Sequence, residues 1–171
     1  MRRHSFLSPK CIAKHSNIHN AGVFAIQDIK KDELIAIWGG YVMTDEEFDR
    51  LPKEIYDYSY PVGVYGGYYL GPKSVDDLDD AEMFNHSCEP NAGVKGQIAL
   101  LARRDIKAGE EVCFDYETTD TRGDSFDCNC RSKICRKKID YTSWQNFKFQ
   151  KANQGYFSWY IQELINKKIS A

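Results

Sequence analysis

Cys128, Cys130 and Cys135 form a C-x-C-x4-C cluster among basic residues, and three thiols so close together suggest zinc. Structural zinc is tetrahedral and normally closed by four Cys or His ligands, so this loop must recruit one more from elsewhere. The candidates are Cys11, Cys88, Cys113 and four histidines. Cys113 lies in an alternating strand pattern and Cys11 beside Ile12 in another, both suited to a buried apolar thiol. Cys88 is better placed, in the polar run Asn85-His86-Ser87-Cys88-Glu89-Pro90-Asn91. Arg131, Lys133, Arg136, Lys137 and Lys138 would help offset the charge of a four-thiolate site. Unpaired thiols are the plain alternative.

Charge is unevenly spread. Residues 45–89 hold twelve acids against three bases, and residues 122–151 hold eight bases against three acids. The acidic run would attract a lysine- or arginine-rich partner, and the basic run could make weak contact with nucleic-acid phosphates. The plainer reading of either run is a solvated surface.

The elements that must position these residues are mostly strands. Ala25-Ile26-Gln27-Asp28-Ile29-Lys30-Lys31-Asp32-Glu33 is echoed by Ala102-Arg103-Arg104-Asp105-Ile106-Lys107-Ala108-Gly109-Glu110. Apolar alternation before and after each copy predicts two similar strand-turn-strand units, with Asp32 and Gly109 at matching turn positions that tolerate positive φ. Gly and Pro punctuation between residues 10 and 116 predicts short strands in several small sheets. Thr44-Asp45-Glu46-Glu47 is a capping box, predicting a short helix from Asp45 to Leu51 that stops near Pro52. Phe157, Tyr160, Ile161, Leu164, Ile165 and Ile169 predict an amphipathic helix over 156–169, docked on the body.

At 171 residues, with 42% hydrophobic and 28% charged residues, the chain fits one folded domain rather than a disordered or coiled-coil protein. Its longest apolar runs are far short of the roughly 20 residues a membrane span requires, so no membrane contact is expected. Arg2, Arg3 and His4 are followed by no apolar core of the kind a secretory signal needs. An intracellular, nuclear or cytoplasmic location is therefore expected, with the thiols reduced.

The Asn85-to-Asn91 run, then Phe114-Asp115-Tyr116, then the cysteine triplet, resembles SET-domain protein-lysine methyltransferases with a post-SET zinc loop. The correspondence covers roughly residues 5–138. It implies a mainly β fold of several small sheets with a pseudoknot, short helices and, outside the correspondence, the C-terminal amphipathic helix. It divides the chain into a SET domain (5–116), a post-SET zinc loop (117–138) and a C-terminal extension (139–171), packed as one unit. S-adenosylmethionine is the implied cofactor, and the acceptor is a lysine ε-amine reaching it through a narrow channel. By motif position Tyr116 would be catalytic, with Phe114, Trp38 and Tyr58 lining the substrate channel. Ala21, Gly22, Tyr58, Asn85, His86 and Tyr116 would contact the cofactor, and Cys88 would join Cys128, Cys130 and Cys135 on zinc.

Three positions depart from the family pattern. Asn20-Ala21-Gly22 replaces a G-x-G loop, although Asn tolerates positive φ. Trp38 stands where relatives carry a channel tyrosine, and Glu82 replaces an arginine three residues before the N-H-S-C motif. The tyrosine beside the cofactor is Tyr58, with Tyr60 as an alternative.

Methyl transfer from a sulfonium needs a neutral amine in line with the breaking bond. An aromatic channel facing a positive sulfonium would favour deprotonated lysine, whose free pKa is about 10.4. Phe114 carries no hydroxyl, which removes a site for channel water and predicts a product beyond monomethyl-lysine. A basic protein, histone or histone-like, is the implied substrate. The competing reading is a non-catalytic zinc-stabilised module binding lysine-rich proteins or nucleic acid.

Overall fold

The structure, a computed structural model, describes residues 4–169; Arg2 and Arg3 lie outside the described residues. The echoed segments meet each other. Ile29 and Ile106 exchange both main-chain hydrogen bonds at 2.9 Å, and both side chains are buried. Asp28 accepts from Lys107 Nζ (2.7 Å) and Ala108 N, while Asp105 accepts from Lys30 Nζ (2.8 Å) and Lys31 N. Asp32 and Gly109 both take positive φ, +65° and +93°. The two copies thus form a pseudo-symmetric pair of turns, each tied down by the other's aspartate.

Three sheets of three or four strands surround the main core. One orders Phe6–Leu7, Leu34–Ile37, Ala99–Ala102 and Ala92–Lys95, all antiparallel. Another places Tyr41–Thr44 beside Tyr68–Gly71, with Val62–Tyr65 on its far side. The sheet that builds the site orders Cys11–His15, Ala21–Ala25, Glu111–Phe114 and Asn85–His86. Its last pairing is parallel, with Cys113 opposite Asn85 and Phe114 opposite His86. Parallel neighbours cannot be joined by a tight turn, and here some 25 residues of chain separate them. Asn91 fastens the return, donating to Glu111 O and accepting from Cys113 N, both at 2.8 Å. Val23, Ile35, Val94, Leu100 and Val112 fill the core between these sheets.

Both predicted helices form, with shifted ends. The Thr44 capping box closes through both arms, but the α-helix covers only Asp45–Phe48 and not the expected run to Leu51. The amides of Arg50 and Leu51 bond three residues back, a tightened turn that ends the helix early. Another one-turn helix, Lys53–Tyr56, follows Pro52.

The C-terminal helix begins at Trp159 rather than 156, because Ser158 N is already bonded to Thr118 O of the body. Phe157, Ile161 and Ile165 pack on Trp144 and Phe149, whereas Ile169 is 75% exposed, so the docked stripe ends before it. Arg103 fixes the extension through Asn153 Oδ1 and Ala152 O, both at 2.7 Å. Tyr156 lies so close to Gly93 that a Cβ there would sit 2.6 Å from its ring. Among the described residues no helix is long and apolar enough to cross a membrane.

Candidate active site and zinc cluster

The parallel strand pair opens onto a cleft of about 800 Å³, within the range of small-molecule sites. Ala21, Trp38, Tyr58, Asn85, His86, Phe114 and Tyr116 all line it. Residues drawn from five separated stretches of sequence therefore meet at one place. Gly22 does not line the cleft but stands behind it, where a Cβ would come within 2.1 Å of Glu111 Oε1 and 2.8 Å of Asn85 Nδ2. Asn85 Nδ2 donates to Ala21 O (2.8 Å) and Glu111 Oε1 (2.7 Å), so its amide braces the Asn20-Ala21-Gly22 loop. Asn20 adopts φ +34°, the left-handed region that Asn tolerates best after Gly.

An aromatic series forms one wall. Trp38 and Phe114 have ring centroids 5.1 Å apart, Phe114 and Tyr116 5.0 Å, and Tyr116 and His86 5.2 Å. Trp38 is anchored by donation from Nε1 to Ala81 O. The Tyr116 hydroxyl donates to Phe84 O at 2.8 Å, and burial holds its pKa above the ordinary phenol value. It is therefore a neutral phenol with oxygen lone pairs still free to accept. Both tyrosine candidates reach the cleft: Tyr58 sits at its rim, 48% exposed, while Tyr60 lies deeper and stacks toward Tyr141.

His86 is buried, and burial, with Arg136 nearby, pushes its pKa down to about 3. Its Nδ1 accepts from Tyr116 N at 3.3 Å, which leaves Nε2 as the protonated nitrogen, 3.3 Å from Cys88 Sγ. One neutral ring thus joins the cleft to the cysteine cluster.

Cys88, Cys128, Cys130 and Cys135 place their sulfurs within 4.8 Å of one another, with 3.9 Å between Cys88 and Cys128. Four sulfurs around zinc at about 2.3 Å would stand about 3.8 Å apart, so this donor set fits the ion. Burial pushes the Cys88 thiol up to about 11, and a cation is what would hold it as thiolate. Main-chain amides of Arg136 and Lys137 point at Cys88 and Cys135 sulfurs. Cys11 and Cys113, the rejected candidates, are buried strand residues as expected.

The structure brings in residues that the motifs did not single out. Arg136, counted in the sequence as part of a basic patch, turns inward instead. It grips Asp115 through both nitrogens at 2.7 and 2.8 Å and Glu117 at 2.9 Å, and these carboxylates hold it firmly charged. Glu111, Phe126, Asp120 and Glu82 also border the cleft or its bracing. Glu82 is held by Ser5 (2.6 Å) and Ser59 (3.4 Å), and burial, with Asp79 nearby, pushes it up to about 7. The acidic run is similarly divided, since Asp45 and Asp49 are occupied by Arg122. No periodicity marks these residues; among them only Glu82 stands out in the sequence, as the residue in place of the family's arginine.

With this geometry in hand, the comparisons with known proteins agree. The SET domain family matches residues 20–117, and the chain belongs to that family. It is 33% identical over 140 residues to "Histone-lysine N-methyltransferase 2B" of Homo sapiens, covering 73% of this chain and 5% of that protein. It is 31% identical over 158 residues to "Histone-lysine N-methyltransferase SUV39H2" of Xenopus tropicalis, covering 74% and 38%. It is 31% identical over 127 residues to "Variant-silencing SET domain-containing protein" of Plasmodium falciparum, covering 67% and 5%. The chain thus spans only a minor part of each relative's length. A humanized mutant of the Chaetomium thermophilum Polycomb Repressive Complex 2, solved with an inhibitor, shares the fold at TM-score 0.51 and 22% identity, covering 64% of this chain and 15% of that one.

Proposed function

We propose that this chain is a protein-lysine N-methyltransferase that uses S-adenosylmethionine and acts on a basic, histone or histone-like protein. The observation that carries the reading is the parallel pairing of Asn85–His86 with the strand leading to Tyr116, at the wall of an 800 Å³ cleft. The cleft is large enough for a nucleoside-sized ligand together with a lysine side chain. Bound S-adenosylmethionine supplies an electrophilic methyl group; Ala21, Asn85, His86 and Tyr58 are the residues that would hold it. Trp38 and Phe114 grip the aliphatic stem of lysine and exclude water from it. Tyr116, fixed by its bond to Phe84 O, accepts from the amine and orients it, and a neutral, half-buried phenol is suited to that task rather than to proton removal. Cys88, Cys128, Cys130 and Cys135 would hold zinc, whose role is to fix the post-SET loop over the His86 side of the cleft.

The division into 5–116, 117–138 and 139–171 belongs to the same proposal. The packing of the three parts as one unit is supported by the contacts that Thr118, Arg103 and Gly96 make with the extension. The non-catalytic alternative rests on the altered Asn20-Ala21-Gly22 loop, and the positive φ of Asn20, a conformation that glycine adopts readily, favours the catalytic reading.

The test is transfer of labelled methyl to mixed basic proteins. Tyr116→Phe is expected to lower turnover by about 10²-fold or more without loss of fold; full activity would remove Tyr116 from the mechanism, and no transfer by the parent chain would overturn the function. Phe114 predicts di- or trimethyl product, and mass spectra with only monomethyl-lysine on a good substrate would refute this.

A further inference from the structure

Lysine reaches a cleft of this kind as ammonium and must lose a proton before it can accept a methyl group. Neither His86 nor Tyr116 can take it, which leaves, among the carboxyls lining the cleft, the two that burial raises, Glu82 and Asp120. His86 is engaged by Tyr116 N and Cys88, and Tyr116 is a phenol already donating its proton to Phe84 O.

Asp120 has no such engagement. It is 5% exposed and enters no ion pair among the described residues. One oxygen accepts from Gly63 N at 2.6 Å and the other from Thr119 Oγ1 at 2.7 Å. A carboxylate has about four acceptor positions, so each oxygen keeps one in reserve.

Its location is more telling than its burial. Asp120 lines the main cleft on one side. On the other it lines a small hollow of about 10 Å³, room for roughly one water, bounded by Tyr65 and Tyr68, which are 52% and 48% exposed. The groups facing it are phenols: Tyr116 from its own turn, Tyr60 and Tyr141 across the cleft, and Tyr160 from the C-terminal helix. Tyr69 and Arg122 also border the hollow, and Arg122 is paired with Asp45 and Asp49, while Glu117 of the same turn is paired with Arg136.

We propose that Asp120 is the proton acceptor of the site, taking a proton from the substrate ammonium in the cleft and releasing it to water in the outer hollow. This rests on the methyltransferase reading and deepens it. An N–H bond of the ammonium breaks as an O–H bond forms on the carboxylate, leaving neutral amine and neutral carboxylic acid. The acid then returns its proton to solvent and is ready for another turnover. Burial pushes this carboxyl up to about 7, where a general base is most effective at neutral pH.

The experiment is the pH dependence of kcat/KM for a lysine peptide with S-adenosylmethionine. The parent is expected to rise through about pH 7 and then level. Asp120→Asn keeps the acceptor for Gly63 N and reverses the second bond, its amide donating to Thr119 Oγ1 while that hydroxyl donates to Tyr116 O, but it cannot accept the proton. It is expected to lose about 10²-fold at pH 7.5 and to recover about tenfold per pH unit up to pH 9.5, as solvent deprotonates the lysine directly. Glu82→Gln should keep the parent's limb near pH 7, whatever its absolute rate. A parallel profile for Asp120→Asn, or loss of the limb in Glu82→Gln instead, overturns the assignment.

If Asp120→Asn fails to fold, Thr119→Val decides. Removing a hydrogen bond to the charged form should move the limb to higher pH, and an unmoved limb overturns the proposal. No transfer by the parent removes the methyltransferase reading itself, whereas transfer with an indifferent Asp120 sinks only this step.

Discussion

The paired turns and the walls of the cleft use carboxylates in opposite settings. At the turns Asp28 and Asp105 lie at the surface, each holding a lysine ammonium and a main-chain amide. The lysine contact first, then the amide, keeps both carboxyls below their ordinary range. In the cleft Asp120 is buried and Glu82 half-buried; they hold only hydroxyls or an amide and stand at about 7. Identical chemistry is thus turned in opposite directions by access to water and to a cation. Surface pairs are solvated before and after folding and stabilise little. A buried carboxylate without a cation costs stability, and such a cost marks sites that use the group.

Metal removal should separate the two regions most sharply. Structural zinc contributes on the order of 10 kcal/mol to small sites, so chelation is expected to unfold residues 117–138 while leaving the turn pair folded. Hydrogen exchange checks this: amides near Cys128 should lose protection and those of Ile29 and Ile106 should keep it. Metal analysis should find about one zinc per chain, and a metal-free, fully protected loop would break the assignment.

Arg136→Met comes next. Removing one partner of a buried ion pair typically costs about 3–5 kcal/mol, and here two buried carboxylates would be stranded. The denaturant midpoint measures it, and a loss under about 1 kcal/mol would place Arg136 with the surface pairs.

The cleft carboxylates make a pH prediction of the unusual sign. Glu82 has a folded pKa of about 7 against an ordinary value of 4.5. Between those values the folded state binds more protons than the unfolded one, so stability falls as pH rises through that window. Glu82 contributes a fall on the order of 3 kcal/mol, and Glu82→Gln should remove that share, making the slope shallower while the share of Asp120 remains. Urea midpoints at pH 5 and pH 8 decide, with identical slopes in parent and variant counting against it. The smallest effect belongs to the turns: Lys30→Ala with Lys107→Ala should leave the midpoint within experimental scatter. A drop comparable to that of Arg136→Met would erase the contrast.

Legibility in the sequence followed the same division. The turns could be read because Asp32 and Gly109 are local choices of backbone conformation, and the capping box because Thr44 and Glu47 are three residues apart. The end of the helix at Phe48 could not, since it depends on how the following turn tightens. Arg136 looked like its neighbours in a basic run, and nothing nearby in sequence announced Asp115 and Glu117 as its partners.

By itself the sequence determined a mainly β chain, the cysteine cluster with Cys88 as its best fourth member, and the order of motifs around Asn85, Phe114 and Tyr116. Those properties reside in residue type and short spacing. Only the tertiary structure decided that Gly22 stands behind the cleft, that Arg136 points inward, and that Asp120 lies between cleft and solvent. Burial and charge pairing arise from segments far apart in the chain, and they come into being when the strands close on one another.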